Sequence, residues 1–192
     1  MNRSDLLPLL VSLGFATGLM GWMVWSQKPG ELAGATQVAP AVAATQTPVA
    51  PLVDEGRVAE LRITADQSPE NAQARVDLGY LYFEVQRFDE AIPWFEAALA
   101  INPLDVSVST DLGVAYFYTD AIDRALGQFA HSLEVDPGHA QTLLDLGIVR
   151  ALGKQDLEGA IEAWEEVRRL DPDSPEAVAA ADAIERIRAA HP

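Results

Sequence analysis

A short motif recurs at a fixed interval along this chain of 192 residues. The tripeptide Asp-Leu-Gly begins at Asp77, Asp111 and Asp145, so successive copies are 34 residues apart. Three further series run in parallel with it: Ala91, Ala125 and Ala160; Phe95, Phe129 and Trp164; and Pro69, Pro103, Pro137 and Pro172. The last interval in each of these three series is 35 residues, which indicates one inserted residue between Gly147 and Ala160. A repeat of this length predicts a stack of similar supersecondary units.

The recurring residues resemble the tetratricopeptide repeat (TPR) pattern, W-x2-L-G-x2-Y…A-x3-F…P with a period of 34. The matching residues are Leu78, Gly79, Tyr82, Ala91, Phe95 and Pro103, then Leu112, Gly113, Tyr116, Ala125, Phe129 and Pro137, then Leu146, Gly147, Ala160, Trp164 and Pro172. The third copy has Arg150 in place of the Tyr, and all three copies lack the leading Trp. The resemblance implies pairs of amphipathic helices, in which the small Gly and Ala residues let the two helices of a pair approach closely.

We therefore predict an all-α solenoid of about three and a half helix-turn-helix repeats with a carboxy-terminal capping helix, preceded by one transmembrane helix and a disordered linker. A proline after each second helix should end one repeat before the next begins. The predicted boundaries are an amino-terminal tail at 1–5, a transmembrane helix at 6–25, a Pro/Ala-rich linker at 26–53, a degenerate half repeat at 54–68, repeats at 69–102, 103–136 and 137–171, and a capping helix at 172–192.

The predicted transmembrane helix is a run of twenty uncharged residues from Leu6 to Trp25. With a rise of about 1.5 Å per residue it would be about 30 Å long, which matches the hydrocarbon thickness of a bilayer. An uncleaved anchor is the preferred interpretation. A cleaved signal peptide is an alternative, because Ala33-Gly34-Ala35 offers a small-residue cleavage pattern. The segment from Lys28 to Val53 is rich in Ala, Pro, Thr, Val and Gln, a composition typical of a flexible tether.

Charge and residue usage exclude several classes of function. The chain has 13 Lys and Arg against 29 Asp and Glu, a formal net charge of −16, which argues against binding to a nucleic-acid backbone. Because there is no cysteine, thiolate chemistry and cysteine-ligated metals are excluded. His131, His139 and His191 do not form a metal-binding spacing, and the run from Gly147 to Lys154 lacks the Ser or Thr of a phosphate loop. We predict no enzymatic activity, no cofactor and no metal.

In TPR stacks the first helices line a concave groove, and this family typically binds peptides or helices there. The groove-facing stripe is predicted from helical periodicity. Its residues are Val76, Tyr80, Phe83, Thr110, Val114, Phe117, Tyr118, Leu144, Ile148, Ala151 and Leu152. Asp77, Asp111 and Asp145 recur beside the stripe as an acidic ladder. The predicted partner is therefore an extended segment or amphipathic helix of another protein, with an apolar face and Lys or Arg at its edge.

One known TPR function is not expected. Family members that clamp the acidic carboxy termini of chaperones use Lys, Asn and Arg in the groove. At the matching positions this chain has Val76, Tyr80, Asp111, Gln141 and Asp145.

The layout of anchor, tether and short array also resembles membrane-anchored periplasmic TPR proteins of the cytochrome c maturation type, in which the array holds apocytochrome helices. This resemblance implies a single-pass protein of the bacterial inner membrane with its repeats in the periplasm, acting as an assembly factor. A general translocon-associated chaperone is equally compatible. A self-assembling structural protein, whose groove takes a neighbouring copy, is a further alternative.

Overall fold

A computed structural model describes residues 52–191, and the regular secondary structure in this part of the chain is all helical. The helices are α1 (Glu55–Gln67), α2 (Ala72–Phe83), α3 (Phe88–Ile101), α4 (Val106–Tyr118), α5 (Ile122–Val135), α6 (Ala140–Val149), α7 (Leu157–Leu170) and α8 (Pro175–Ala190). Within residues 52–191 the prediction of an all-α array of helix pairs is confirmed. The predicted membrane helix and nearly all of the predicted linker lie outside the described residues. Among the eight helices, none has both the length and the apolar character needed to cross a bilayer.

The folded part begins slightly before the predicted boundary. Val53, assigned from sequence to the linker, is buried against the core, with 8% of its surface exposed. Asp54 then caps α1, because its side chain accepts a hydrogen bond from the N–H of Arg57 at 3.0 Å.

Side-chain caps start most of the helices. Six helices begin after a residue whose side chain accepts an N–H from the first turn, which satisfies one of the otherwise unpaired donors there. These capping residues are Asp54, Asn71, Asp105, His139, Asp156 and Ser174. The two others, α3 and α5, have no side-chain cap. They follow tight turns that contain Gln86 and Asp120, whose φ angles are 61° and 62°.

Each helix pair is closed by a glycine packed directly against an aromatic ring. A Cβ at Gly79 would collide with the ring of Phe95, one at Gly113 with Phe129, and one at Gly147 with Trp164. All three rings are completely buried. The expectation that these glycines permit close helix approach is therefore confirmed, and the recurrence of Gly with an aromatic residue follows from this contact.

The inserted residue of the third repeat is accommodated in a π-helical turn, Arg150–Lys154, at the end of α6. In the first repeat the N–H of Arg87 bonds back to the carbonyl of Tyr82, five residues earlier. In the third, the N–H of Asp156 bonds to the carbonyl of Arg150, six residues earlier. A π turn adds one residue to a helical turn, so the side chains after Arg150 are rotated about the helix axis relative to their counterparts in the other repeats.

Candidate functional site

The first helices of the repeats lie side by side as one layer of the stack. Helix α4 contacts α6, and α6 contacts α8, while α3, α5 and α7 pack behind them. In solenoids of this kind the curvature of the stack makes one such layer concave. We call the surface formed by α2, α4 and α6 the inner surface.

Aromatic side chains gather at the carboxyl ends of α2 and α4. We call the following group the aromatic wall: Tyr80, Phe83, Phe88, Phe117 and Tyr118. Tyr118 stacks on Phe88 with ring centroids 4.6 Å apart, and Phe83 meets Phe88 edge-on at 5.3 Å. Phe117 lies beside Tyr118 at 5.5 Å. Tyr118 is the most open member, with 42% of its surface exposed. The wall therefore presents apolar rings that are held in place by one another.

The acidic ladder lies nearer the amino ends of the same helices. Tyr80 donates its hydroxyl to Asp111 at 2.6 Å, which joins α2 to α4. The amide of Gln141 donates to Asp145 at 2.9 Å, and the amide of Gln73 donates to Asp77 at 2.7 Å. Among residues 52–191, the ion pairs that the structure contains involve none of these three carboxylates. The ladder is therefore held by neutral donors.

Burial raises the pKa values of Asp111 and Asp145, the two most buried members of the acidic ladder. The Asp145 carboxyl, 9% exposed, has its pKa raised to about 7, chiefly by desolvation and further by Asp111, against the opposing hydrogen bond from Gln141. Desolvation also raises the pKa of Asp111, opposed by the hydrogen bond from Tyr80 and the proximity of His139. The pKa of the Tyr118 hydroxyl is raised by burial and then by the charge of Asp145, so the ladder and the aromatic wall are electrostatically coupled.

Five residues predicted to line the groove are buried instead. Val76, Thr110, Leu144, Ala151 and Leu152 have at most 8% of their surface exposed. The first three occupy the same position in successive repeats, three residues before the glycine. This position meets the next repeat: the hydroxyls of Thr110 and Thr142 hydrogen-bond at 2.6 Å. The π turn explains the last two, because it rotates them into the core around Trp164. The expectation that these five face an open groove does not hold.

The other six predicted groove residues keep a solvent-accessible part. Five are half-buried and Tyr118 is exposed; the half-buried ones are Tyr80, Phe83, Val114, Phe117 and Ile148. Phe117 also packs against both hydrophobic clusters of the core, so it supports the fold as well as the surface.

Phe88 belongs to the aromatic wall but was missed from sequence, because only first helices were considered. It is the first residue of a second helix and reaches the wall from there. A signal was present, since Ile122 and Leu157 occupy the same position in the next two repeats. Each second helix therefore begins with an apolar residue, and in the first repeat this residue contacts the aromatic wall.

The histidines have structural partners. His139 caps α6 through Nδ1, which lies 3.3 Å from the N–H of Thr142. His131 lies on α5, and its Nε2 is 2.8 Å from the carbonyl of Pro103 at the edge of a cavity of about 410 Å³ on the outer layer. Within residues 52–191 no group of His, Asp and Glu side chains is arranged to hold a metal ion.

Comparison with known proteins identifies a family and several solved structures that this architecture resembles. The family model described as tetratricopeptide repeat matches residues 58–106 and 110–175. A search of the curated proteins found no match. Among solved structures, MamA aligns over 71% of this chain and 90% of its own, with a TM-score of 0.60 and 19% identity.

Two further structures were solved with a peptide. The first TPR of Spaghetti (RPAP3), bound to the HSP90 peptide SRMEEVD, aligns over 62% of this chain and 91% of its own, with a TM-score of 0.56 and 24% identity. The Yersinia enterocolitica chaperone SycD, in complex with a peptide of the translocator YopD, aligns over 62% of this chain and 94% of its own, with a TM-score of 0.57 and 15% identity. At these identities the structures share the fold alone. Since the family model matches more than half of the chain, the protein belongs to the tetratricopeptide repeat family.

Proposed function

We propose that this protein is a non-enzymatic scaffold that holds a segment of another protein on its inner surface. The observation that carries the proposal is the aromatic wall beside carboxylates that form no ion pair within residues 52–191. The rings are partly accessible, and a partner that covers them removes apolar surface from water, which favours binding. Asp77 and Asp111 each accept one hydrogen bond from a neutral side chain and stay partly accessible, so they keep acceptor capacity for a Lys or Arg.

The solved relatives support this mode of action. RPAP3 and SycD share the fold, and both were solved with a bound peptide. The partner class differs from the RPAP3 peptide, whose sequence SRMEEVD is acidic. In this chain Asp77 and Asp111, which both keep a solvent-accessible part, would repel an acidic segment. The partner proposed here carries positive charge at one edge and apolar residues at the other.

Membrane attachment is the second part of the proposal. The uncharged run from Leu6 to Trp25 supports it, and the Pro-rich segment that follows would let the repeats reach a partner away from the bilayer. A periplasmic assembly factor, as in cytochrome c maturation, fits this layout. Fractionation of cells that express the full chain tests the attachment: the protein should resist carbonate extraction, and deletion of residues 6–25 should release it.

The inner surface is tested by site-specific photo-crosslinking in the full chain. Benzoylphenylalanine in place of Tyr118 should crosslink to a discrete partner protein in native membranes. The matched control is the same probe at Leu104, which is 67% exposed in the turn between repeats. Equal crosslinking from both positions, or none from position 118, would contradict the proposal. Tyr118 is preferred to Phe117, because a change at Phe117 would also disturb the core.

A further inference from the structure

Within residues 52–191 the buried apolar side chains form two hydrophobic clusters. The first cluster runs from Val53 to Phe129 and also contains Val149, whereas the second runs from Leu143 to Ile187. The clusters meet where the second repeat, formed by α4 and α5, packs against the third repeat, formed by α6 and α7. The boundary between these two repeats therefore differs from the boundaries that lie inside one cluster.

Hydroxyl groups occupy this boundary between the second and third repeats. Thr110, Ser132 and Thr142 are each at most 1% exposed, and we call these three residues the hydroxyl seam. The hydroxyl of Thr110 on α4 hydrogen-bonds to that of Thr142 on α6 at 2.6 Å and lies 3.4 Å from that of Ser132 on α5. The Thr110 and Ser132 hydroxyls also lie within hydrogen-bond distance of backbone carbonyls of their own helices, at 2.8 and 3.2 Å.

The corresponding positions at two other boundaries are apolar and lie inside a single cluster. Between the first and second repeats they hold Val76, Ala98 and Val108. Between the third repeat and the capping helix they hold Leu144, Val167 and Ala177. Among these three boundaries, the hydroxyl seam is therefore the place where polar contact replaces a continuous apolar core.

The turn that crosses the hydroxyl seam contains a glycine. Gly138 follows Pro137, whereas the residues after the corresponding prolines are Glu70, Leu104 and Asp173. A Cβ at Gly138 would meet its nearest neighbour at 3.6 Å, an ordinary contact distance, so packing does not require glycine at this position. The conformational freedom of glycine instead allows this turn to change shape.

Apolar contact persists at the other end of the same boundary. Phe117, near the carboxyl end of α4, packs against both clusters. Gly153 lies so close to Ile122 that a Cβ there would be 2.8 Å from its side chain, and Lys154 forms an ion pair with Asp123. The boundary therefore has one end that can act as a pivot and one end, nearer the amino ends of α4 and α6, that is polar.

The polar end is the one that opens most readily. Separating an apolar boundary exposes buried apolar surface to water, which is unfavourable. Separating the hydroxyl seam exchanges hydrogen bonds between hydroxyls for hydrogen bonds to water, which changes the free energy much less.

We propose that the array bends at the hydroxyl seam, so that residues 53–135 and residues 140–190 move as two rigid halves about the contact at Phe117. The aromatic wall belongs to the first half, whereas Asp145 and Ile148 lie on α6 in the second half. Bending therefore changes the curvature of the inner surface while the packing within each half stays the same. The motion is a property of the array alone and does not depend on the proposed partner.

Distances between pairs of nitroxide labels test the bending in the full chain, purified in detergent micelles. The sequence contains no cysteine, so labels attach only to cysteines that are introduced. Four exposed residues, three positions before the proline that ends each second helix, provide equivalent sites: Asp66, Ala100, Glu134 and Arg169. The pair at 66 and 134 spans two boundaries without the hydroxyl seam, and the pair at 100 and 169 spans two boundaries that include it.

Double electron–electron resonance should give a distance distribution for the pair at 100 and 169 that is about twice as wide as that for the pair at 66 and 134, because a hinge adds a range of angles to one pair alone. Equal widths in the parent chain would overturn the proposal.

An apolar variant of the seam provides the second measurement. Thr110→Val, Ser132→Ala and Thr142→Val together should narrow the distribution at 100 and 169 to the width at 66 and 134, and should leave the pair at 66 and 134 unchanged. Circular dichroism and urea midpoints verify that the variant is folded. A folded variant in which the pair at 100 and 169 keeps its width would overturn the seam as the hinge. If the variant does not fold, the two widths in the parent chain still decide the proposal.

Discussion

The hydroxyl of Tyr80 donates a hydrogen bond to Asp111 at 2.6 Å and thereby links the first repeat to the second across the inner surface. The ring of Tyr80 packs edge-on against Phe95, with centroids 5.2 Å apart. One side chain thus serves both the core of its own repeat and a carboxylate of the next. Burial and the neighbouring carboxylate raise the pKa of Tyr80, so the hydroxyl keeps its proton and remains a donor.

Tyr80→Phe should destabilise the fold by about 1–3 kcal/mol, because the ring contacts remain while the half-buried Asp111 loses its donor. Urea denaturation measures the change. Tyr118→Phe is the control, since it also removes one phenolic hydroxyl but from a more exposed residue. Its free energy of unfolding should stay within about 0.5 kcal/mol of the parent. Equal effects of the two variants would mean that the Tyr80 bond does not stabilise the fold.

Gly113→Ala should lower the free energy of unfolding by about 1–3 kcal/mol, because the added methyl group overlaps the buried ring of Phe129. Gly127→Ala is the matched control. Gly127 is exposed inside α5, and a methyl group added there would point into open space, so alanine should stabilise the helix by about 0.5–1 kcal/mol. Opposite signs are expected in thermal or urea unfolding. Stabilisation by both changes would refute the close-packing role of the recurring glycine.

The periodic residues made the helices and their pairing predictable. The glycine, the aromatic residue and the proline of each repeat act mainly within one helix pair, so spacing along the chain is enough to place them. The insertion before Ala160 could also be predicted from the sequence, because it changes the interval between repeats from 34 to 35 residues. Its form as a π turn was not, since an extra residue can equally be placed in a loop.

Exposure on the inner surface was harder to predict. Helical periodicity shows which way a side chain points, but whether it is covered depends on the next repeat. Val76, Thr110 and Leu144 point towards that neighbour and are buried, whereas Tyr118, the last residue of α4, stays 42% exposed. The hydroxyl contact between Thr110 and Thr142 likewise depends on how two repeats dock, which a pattern within one repeat does not contain.

The Thr110–Thr142 contact gives a third prediction. Thr142→Val should destabilise the protein by about 1–2 kcal/mol, because it removes the hydroxyl that bonds to the buried Thr110 hydroxyl at 2.6 Å and to Nδ1 of His139 at 2.7 Å. Changing both residues to Val removes the two polar groups together, so the double variant should lose less stability than the sum of the single variants. A double-mutant cycle from urea denaturation measures this coupling. Strict additivity would show that the contact between the two hydroxyls contributes nothing.

Asp145→Asn should stabilise the protein increasingly as the pH rises from 4 to 8. In the unfolded chain the carboxyl has an ordinary pKa of about 3.9, whereas in the fold desolvation raises the pKa to about 7. Between these values the folded parent binds more protons than the unfolded chain, so its free energy of unfolding falls as pH increases. Asn cannot ionise, and Gln141 can still donate to its side-chain oxygen. The gain over the parent should therefore be small at pH 4 and reach at most about 4 kcal/mol at pH 8. Urea denaturation at pH 4, 6 and 8 measures it, with Leu104→Ala as a control whose effect should not change with pH. A gain that is constant from pH 4 to 8 would show that Asp145 is not the buried acid described above.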